Sequence, residues 1–586
     1  MRWTDPKALR IWRSVDGGVA SYTDEVLAGI AAEGFTGIWI FCILRDLMDS
    51  RVFPALNRPG AAERRAALQA LIDRAARHGL VLYLYFNDPV GVKKDDPFWE
   101  AHPELKGVEK WGMWALCTST PAVQAFFRDA VESAMNPLRN LGGVILITAC
   151  EDLTHCWSKS PVRKGAPPPT CPRCVAREPA DIILELIQTW AEVRAAHPTP
   201  FRILAWNWEW LYYYPDPQAE IATRLPDGVE LLLGFEMGGE KEWNGRTIPI
   251  GEYALSYAGP GRQFVSTRAA VRALGTPVHA KIEVNNTHEL CSVPNLPVLA
   301  TLHARFAGMT AQQIAGFLGV WSMGSRFTLN TAALRLFLTD PDRFMDETAF
   351  LDALARAHFG LEETAGVIGA WRGFSDAYAH YPFAIQLLYY GVHNDAPARP
   401  LSLHYAGTPT GRSWQPDERG DDLSNALQAH HADVCTFTLD EVIAGYAAIR
   451  DGWEAALPAY EAALDAPAAD PDHARHRAEE LSVARMLAIQ FRAIVNAYRF
   501  YRAQQRVMRA HGLTAPCDLP RDPALLALMR EELENARRAL PLVDADPRLG
   551  WHQDVNGYQY NGALIREKIA AMERELTGSA ETPAAL

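Results

Sequence analysis

The chain reads as an α/β protein, a (β/α)8 TIM barrel over residues 1–344 followed by a mostly α-helical domain over 345–586. Three features predict this. Eight short apolar runs lie between residue 9 and about residue 330, each too short for a helix. Amphipathic stretches with helical spacing separate them. Past residue 345 the strand signals give way to long helical periodicities.

The runs, in order, are LRIWRSV (9–15), TGIWIFCIL (36–44), LVLYLYF (80–86), GVILIT (143–148), FRILAWNW (201–208), VELLLGF (229–235), PVHAKIEV (277–284) and IAGFLGVW (314–321). Their near-continuous apolar content fits parallel strands buried on both faces. Between them stand helical segments such as AAERRAALQALIDRAARHG, ending at Gly79, and TPAVQAFFRDAVESAM, with Thr120 as N-cap and Pro121 in the first turn. An open doubly wound sheet would carry a glycine-rich phosphate turn after its first strand, and IWRSVDGG is not one. The later helices are read from DETAFLDALARAHFG, TLDEVIAGYAAIRDGWEAALPAYEAAL and the long stretch beginning ARHRAEELSVARMLAIQ. HNDAPARPLSLHYAGTPTGRSWQPDERGDD (393–422) reads as a long loop.

Composition narrows the class of partner. With 48% hydrophobic residues and a net charge of −13, basic residues being scattered, neither nucleic acid nor an anionic membrane surface is expected as a partner. A small-molecule carbohydrate suits this balance better. No window reaches the length of a membrane span, and MRWTDPKALRIWRS has no apolar run of signal-peptide length. The expectation is a cytoplasmic protein, with a secreted form lacking its leader and a homo-oligomer both left open.

In a barrel of this kind the chemistry sits where the strands end. The residues there are Arg13 and Asp16, Arg45 and Asp46, Asn87 and Asp88, Glu151 and Asp152, and then Trp206, Asn207, Trp208 and Glu209. Glu236 follows the sixth run, Glu283, Asn285, Asn286, His288 and Glu289 the seventh, and Trp321 ends the eighth. Carboxylates and amides among tryptophans suit a sugar, whose ring offers apolar faces for stacking and hydroxyl rims for paired hydrogen bonds. Glycosidic cleavage needs one protonated carboxyl at the leaving oxygen and a second group to stabilise the oxocarbenium-like transition state. Glu151 is placed to be the acid. A carboxylate after a strand is also often a helix cap or half an ion pair, and WNWEW tryptophans often pack in a core.

Cysteines form a second constellation. Cys171 and Cys174 in TCPRC direct two thiols at one point, and Cys156, with either His155 or Cys150, lies within reach after the fourth run. A structural zinc held by Cys156, Cys171 and Cys174 plus one more ligand is expected there, clamping the segment SKSPVRKGAPPPT. No cofactor is expected for catalysis itself, since thiolates make zinc a weak Lewis acid and HExxH is absent. There is also no P-loop and no G-x-S-x-G elbow.

HPELKG (102–107), a tryptophan-bearing loop, and CTSTPAVQAFFRDAVESAM leading into GGVILITACED resemble the strand-three to strand-four segment of the β-N-acetylhexosaminidase superfamily of glycoside hydrolases, including families 20 and 123. The resemblance covers roughly residues 5–340. It implies cleavage of terminal β-linked N-acetylhexosamines, with N-acetylgalactosamine favoured, by attack of the sugar's own acetamido oxygen. It maps the general acid/base onto Glu151. In the family an aspartate precedes that glutamate; here Cys150 precedes it and Asp152 follows. Asp152, Asn207, Asn285 or Asn286 would then orient the acetamido group, Arg13 would hold sugar hydroxyls, and Trp206, Trp208 and Trp321 would wall the pocket, with Glu236, Asn286 and Glu289 as further sugar contacts. Three alternatives stay open. One is a retaining glycosidase using Glu283 or Glu289 as nucleophile on a non-acetamido sugar; the others are a non-catalytic carbohydrate-binding barrel and a metal-dependent hydrolase or lyase.

Overall fold

The computed structural model describes the chain apart from Met1, Glu151, residues 159–168, Leu211, Tyr212, Tyr214, Thr410, residues 412–436, Ala515, residues 579–586 and the side chain of Gln386. All eight expected runs are strands: β1 Leu9–Trp12, β2 Gly37–Phe41, β3 Val81–Phe86, β4 Gly143–Ile147, β5 Arg202–Trp206, β6 Val229–Gly234, β7 Val278–Lys281 and β8 Gly316–Leu318. Each pairs in parallel with its neighbours in sequence, and β8 pairs back to β1 through Leu9↔Gly316 and Ile11↔Leu318, closing the barrel. The strands are shorter than the runs, and in all but β3, which reaches the end of its run at Phe86, the last residues of the run turn out into the loops that carry polar groups.

The chain resolves into two compact units, and the division does not fall at a single point near residue 344. The first comprises Met1–Gly238, Pro260–Ile282 and Met309–Val320. It holds the barrel and the helices Asp24–Ala32, Ala61–Arg77, Pro121–Met135, Pro179–Ala196 and Arg262–Val271. Trp190, on Pro179–Ala196, packs on Phe86 of β3 with ring centroids 5.0 Å apart, and Trp12 of β1 stacks at 4.3 Å on Phe35, which lies just before β2. Gly79 has a left-handed φ of 73° after the Ala61–Arg77 helix, as its position suggested. Thr120 does precede the Pro121–Met135 helix, but its hydroxyl donates to the Cys117 carbonyl at 2.8 Å instead of capping a helix N–H. Between β3 and β4 lies a three-stranded antiparallel sheet that periodicity did not predict. Its strands are Val92–Lys93, Met113–Leu116 in the centre, and Lys106–Lys110.

At the N-terminal rim of the barrel, Glu230 pairs with His279 at 2.6 Å and with Arg202 at 3.4 Å. A cavity of about 520 Å³ opens there, lined by Leu9, Thr36, Tyr83, Gly142, Arg202 and Glu230 among others. This is the rim that stabilises such barrels, opposite the one that carries chemistry.

The second unit comprises Gly239–Gly259, Glu283–Gly308 and Trp321–Leu586. It is built on the helices Ala365–Tyr378, Leu439–Leu464, Pro471–His511, Pro523–Ala545 and Gly562–Thr577. Phe374 and Trp453 stack at 4.0 Å in its core. Thr438 and Glu441 form a capping box at the start of Leu439–Leu464, satisfying orphan N–H groups at both ends of the first turn. A hairpin, Gly239–Trp243 with Arg246–Ile250, is fastened to the helices by the Trp243 indole N–H on the His380 carbonyl at 2.7 Å. The buried Lys568 ammonium donates to Glu532 at 2.5 Å and to the carbonyls of Ala396 and Pro397 at 3.0 Å, so neither charge is left bare. Among the described residues, no helix is long and apolar enough to cross a membrane.

Candidate functional site

The C-terminal rim of the barrel brings several expected residues together within the first unit. After β3 and β4 the two loops are sewn to each other. The Asn87 amide donates to the Asp152 carboxylate. The Gly91 N–H donates to the Asp152 carbonyl at 2.8 Å, and the Thr154 hydroxyl to the Asn87 carbonyl at 3.1 Å. Leu153 takes a left-handed φ of 55°, a conformation that costs a leucine energy and turns the loop sharply behind Asp152. Glu151 lies outside the described residues. Asp88 is buried beside Asp152 and Arg45. Burial pushes its carboxyl up to about 7, against the Leu44 N–H that it accepts at 3.0 Å.

After β5, Trp206 is fully buried and Trp208 half-buried, their rings edge to face at 5.4 Å. Asn207 is fully buried: its amide donates to Gln218 at 2.6 Å, and its carbonyl accepts the Gly234 N–H at 3.2 Å. It thus ties the end of β5 to β6. Glu209 is buried with a left-handed φ of 55°, and Glu236, beyond β6, is fully buried. Arg13 lies with its guanidinium 4.9 Å over the Trp39 ring.

Two features at this rim had no counterpart in the sequence reading. Trp39 meets Tyr85 edge to face at 6.1 Å, and Tyr85 meets Phe41 at 5.1 Å, so aromatic rings continue from Arg13 across the ends of β2 and β3. Phe41 is 46% exposed although it is the last residue of a barrel strand. The alternation Trp39, Phe41 and Tyr83, Tyr85 was the available signal, since side chains two apart on a strand share a face. Lys281 is fully buried at the end of β7, a charged residue inside the apolar run PVHAKIEV; such groups concentrate at functional sites.

Asn286, Glu289 and Trp321 belong to the second unit. Glu289 is fully buried and accepts the N–H groups of Leu255 and Ser256 at 2.7 and 2.9 Å and the Ser256 hydroxyl at 2.6 Å. Burial nonetheless pushes its carboxyl up to about 7. It anchors the turn at Tyr253, which has a left-handed φ of 67°. Asn286 donates to the carbonyls of Val293 at 2.6 Å and Cys291 at 3.3 Å. Trp321 is half-buried.

The cysteine constellation differs from expectation in one member. Cys156, Cys171 and Cys174 do come together, and the fourth thiol is Cys117, which directly follows the central strand of the three-stranded sheet. All four are buried, and their sulfurs lie within 4.8 Å of one another. Neither Cys150 nor His155 is part of the group. The Cys150 sulfur lies 3.2 Å from the Thr154 hydroxyl, and His155 accepts the Trp157 N–H at 3.1 Å, while burial drives its imidazole down to about 3 and keeps it neutral. Cys117 escaped notice because nothing in the spacing of CTST announced that a sheet would carry it to the strand-four loop.

No family model matches the chain. No curated protein matches it either. Among solved structures it is similar to a GH138 enzyme targeting pectin rhamnogalacturonan II, at 10% identity and a TM-score of 0.49, covering 98% of this chain and 66% of that one. This chain thus spans just under two thirds of that protein. It is similar to a mutant O-GlcNAc hydrolase of Thermobaculum terrenum at 11% identity and a TM-score of 0.37, covering 97% of each chain. A β-N-acetylhexosaminidase from Bacteroides fragilis is similar at 13% identity and a TM-score of 0.29, over 47% of this chain and 51% of its own.

Proposed function

We propose that the chain is an exo-acting glycoside hydrolase, a β-N-acetylhexosaminidase with β-linked N-acetylgalactosamine as its favoured substrate. One observation carries this. On the catalytic rim of the barrel unit, the loop that begins at the end of β4 is locked by Asn87 onto Asp152, beside a row of aromatic faces running through Trp39, Tyr85 and Phe41. A hexosamine needs apolar faces to stack on and a carboxylate to hold its acetamido group.

In this scheme Glu151, next to Asp152 in the chain, protonates the leaving oxygen and later activates water. Asp152 accepts the acetamido N–H, which aims the acetamido oxygen at the anomeric carbon and favours the cyclised intermediate. Asn87 fixes the orientation of that carboxylate. Arg13 donates to sugar hydroxyls, while Trp208 supplies apolar wall; Trp206, expected beside it, is fully buried and packs behind the Trp208 ring instead. Because Asn207 spends its amide on Gln218 and Gly234, it is assigned to holding the loop and not to the sugar.

Glu151→Gln tests the assignment. The circular dichroism spectrum should be unchanged, and hydrolysis of substrates with poor leaving groups should fall by a factor of about 10² to 10⁴, the usual worth of a positioned general acid. A near-normal rate would end the assignment. Nitrophenyl glycosides with and without the 2-acetamido group, and inhibition by a thiazoline that mimics the cyclised intermediate, test substrate assistance. Hydrolysis without the acetamido group and without thiazoline inhibition would overturn substrate assistance.

A further inference from the structure

We propose that Cys117, Cys156, Cys171 and Cys174 form a tetrathiolate zinc site that fastens the loop after β4 to the sheet inserted between β3 and β4. The sulfur of Cys117 lies 3.6 Å from those of Cys171 and Cys174. A tetrahedral zinc with sulfurs at about 2.3 Å sets them about 3.8 Å apart. A disulfide would need about 2.05 Å, far shorter than either separation.

The surroundings are built for sulfur that carries negative charge. The Arg173 guanidinium donates to the Cys117 sulfur at 3.1 Å, and the Ser119 hydroxyl lies 3.2 Å from that of Cys174. Four thiolates around Zn²⁺ leave a net charge of about −2, and donors in this outer shell spread it. The C-x-x-C turn is closed by the Cys174 and Val175 N–H groups on the Cys171 carbonyl, at 3.1 and 3.0 Å. Gly107, on the adjoining strand, has no side chain to obstruct the group: a Cβ there would lie 2.5 Å from the Cys156 sulfur. The Arg173 guanidinium also reaches the Lys106 carbonyl at 2.5 Å, so the turn and the sheet are joined beside the thiols.

Four protein sulfurs leave no open position, so the metal is structural, not hydrolytic. Its effect is a cross-link. Cys117 and Cys174 are 57 residues apart, and the intervening chain includes the segment SKSPVRKGAPPPT, rich in proline, lysine and serine. A tie at this point holds both ends of the loop that carries Asp152.

The test uses the full chain, purified without a metal-affinity step and dialysed against EDTA. Elemental analysis should find about one zinc per chain. A mercurial thiol reagent should release that zinc to a chromogenic chelator, and protein grown with Co²⁺ should show the ligand-field absorption of a tetrahedral tetrathiolate. Cys117→Ser should lose the metal and melt at lower temperature, whereas Cys150→Ser should keep it. If Cys117→Ser does not fold, zinc release and the cobalt spectrum of the unaltered protein decide. Metal-free protein with four titratable thiols, bound iron in place of zinc, or a Cys117→Ser protein that keeps its zinc would each overturn the proposal. None of these readouts depends on glycosidase activity.

Discussion

The carboxyl of Asp88 accepts the Leu44 N–H at 3.0 Å and feels the Arg45 guanidinium, yet burial holds it at about 7, far above its ordinary 3.8. Between these two values the folded protein keeps a proton that the unfolded chain has released. Folding stability therefore falls as pH rises from about 4 to about 7, at up to about 1.4 kcal/mol per pH unit for this group. Asp88→Asn cannot ionise, so its stability should decline less over that window, as denaturant melts at a series of pH values would register; an unchanged slope would show that Asp88 ionises freely in the fold. Legibility at this scale was uneven. Asn87, Asp88, Asp152 and Arg13 could be picked out because polar residues at or shortly past the end of an apolar run are visible in the letters. Phe41 was legible only as sharing a face with Trp39; its exposure was not, since an aromatic at a strand end looks the same whether it faces the core or solvent. Cys117 could not, because its partners lie 39, 54 and 57 residues onward and only the fold unites them.

Individual elements were better determined. Apolar runs without alternation betray strands buried on both faces, and all eight appear where expected. The long helices Glu347–Phe359, Leu439–Leu464 and Pro471–His511 follow their periodicity to within a few residues. The small antiparallel strands were missed because runs of two to five residues rich in lysine and glutamate carry little pattern. Closure of the barrel also depends on one small residue. Gly316 pairs with Leu9 on one side and His279 on the other, and a Cβ there would lie 2.3 Å from the Leu9 carbonyl oxygen and 2.8 Å from the His279 ring. Because the nearer atom is backbone, the strands must part to admit it. Gly316→Ala should destabilise the barrel by about 1–3 kcal/mol, the usual cost of overpacking, visible as a lowered melting temperature of the full chain. A wild-type melt would mean that β1 and β8 tolerate separation.

Over the whole molecule, neither compact unit is a continuous stretch of chain. The segments Gly239–Gly259 and Glu283–Gly308 belong to the helical unit although they leave the barrel after β6 and β7 and return to it. The boundary expected at 344/345 followed the change from strand-like to helical periodicity, and periodicity does not report where a long excursion packs. Within the second segment Leu290, Val293 and Leu296 are all buried, and Arg305 gathers the carbonyls of Ala254, Tyr257 and Glu283 at 2.6–2.7 Å. A fragment ending at residue 344 would keep all eight strands and still strand this segment without most of its unit. We expect such a fragment to be aggregation-prone and poorly cooperative in thermal unfolding; a soluble, sharply melting fragment would contradict this. On the ribosome the same weave imposes a schedule. The stretch between the last two staves of the cylinder emerges midway but can reach its final packing only when Tyr560, which bonds the Ser292 carbonyl from 268 residues further on, has followed, so maturation of this unit waits on its last helices.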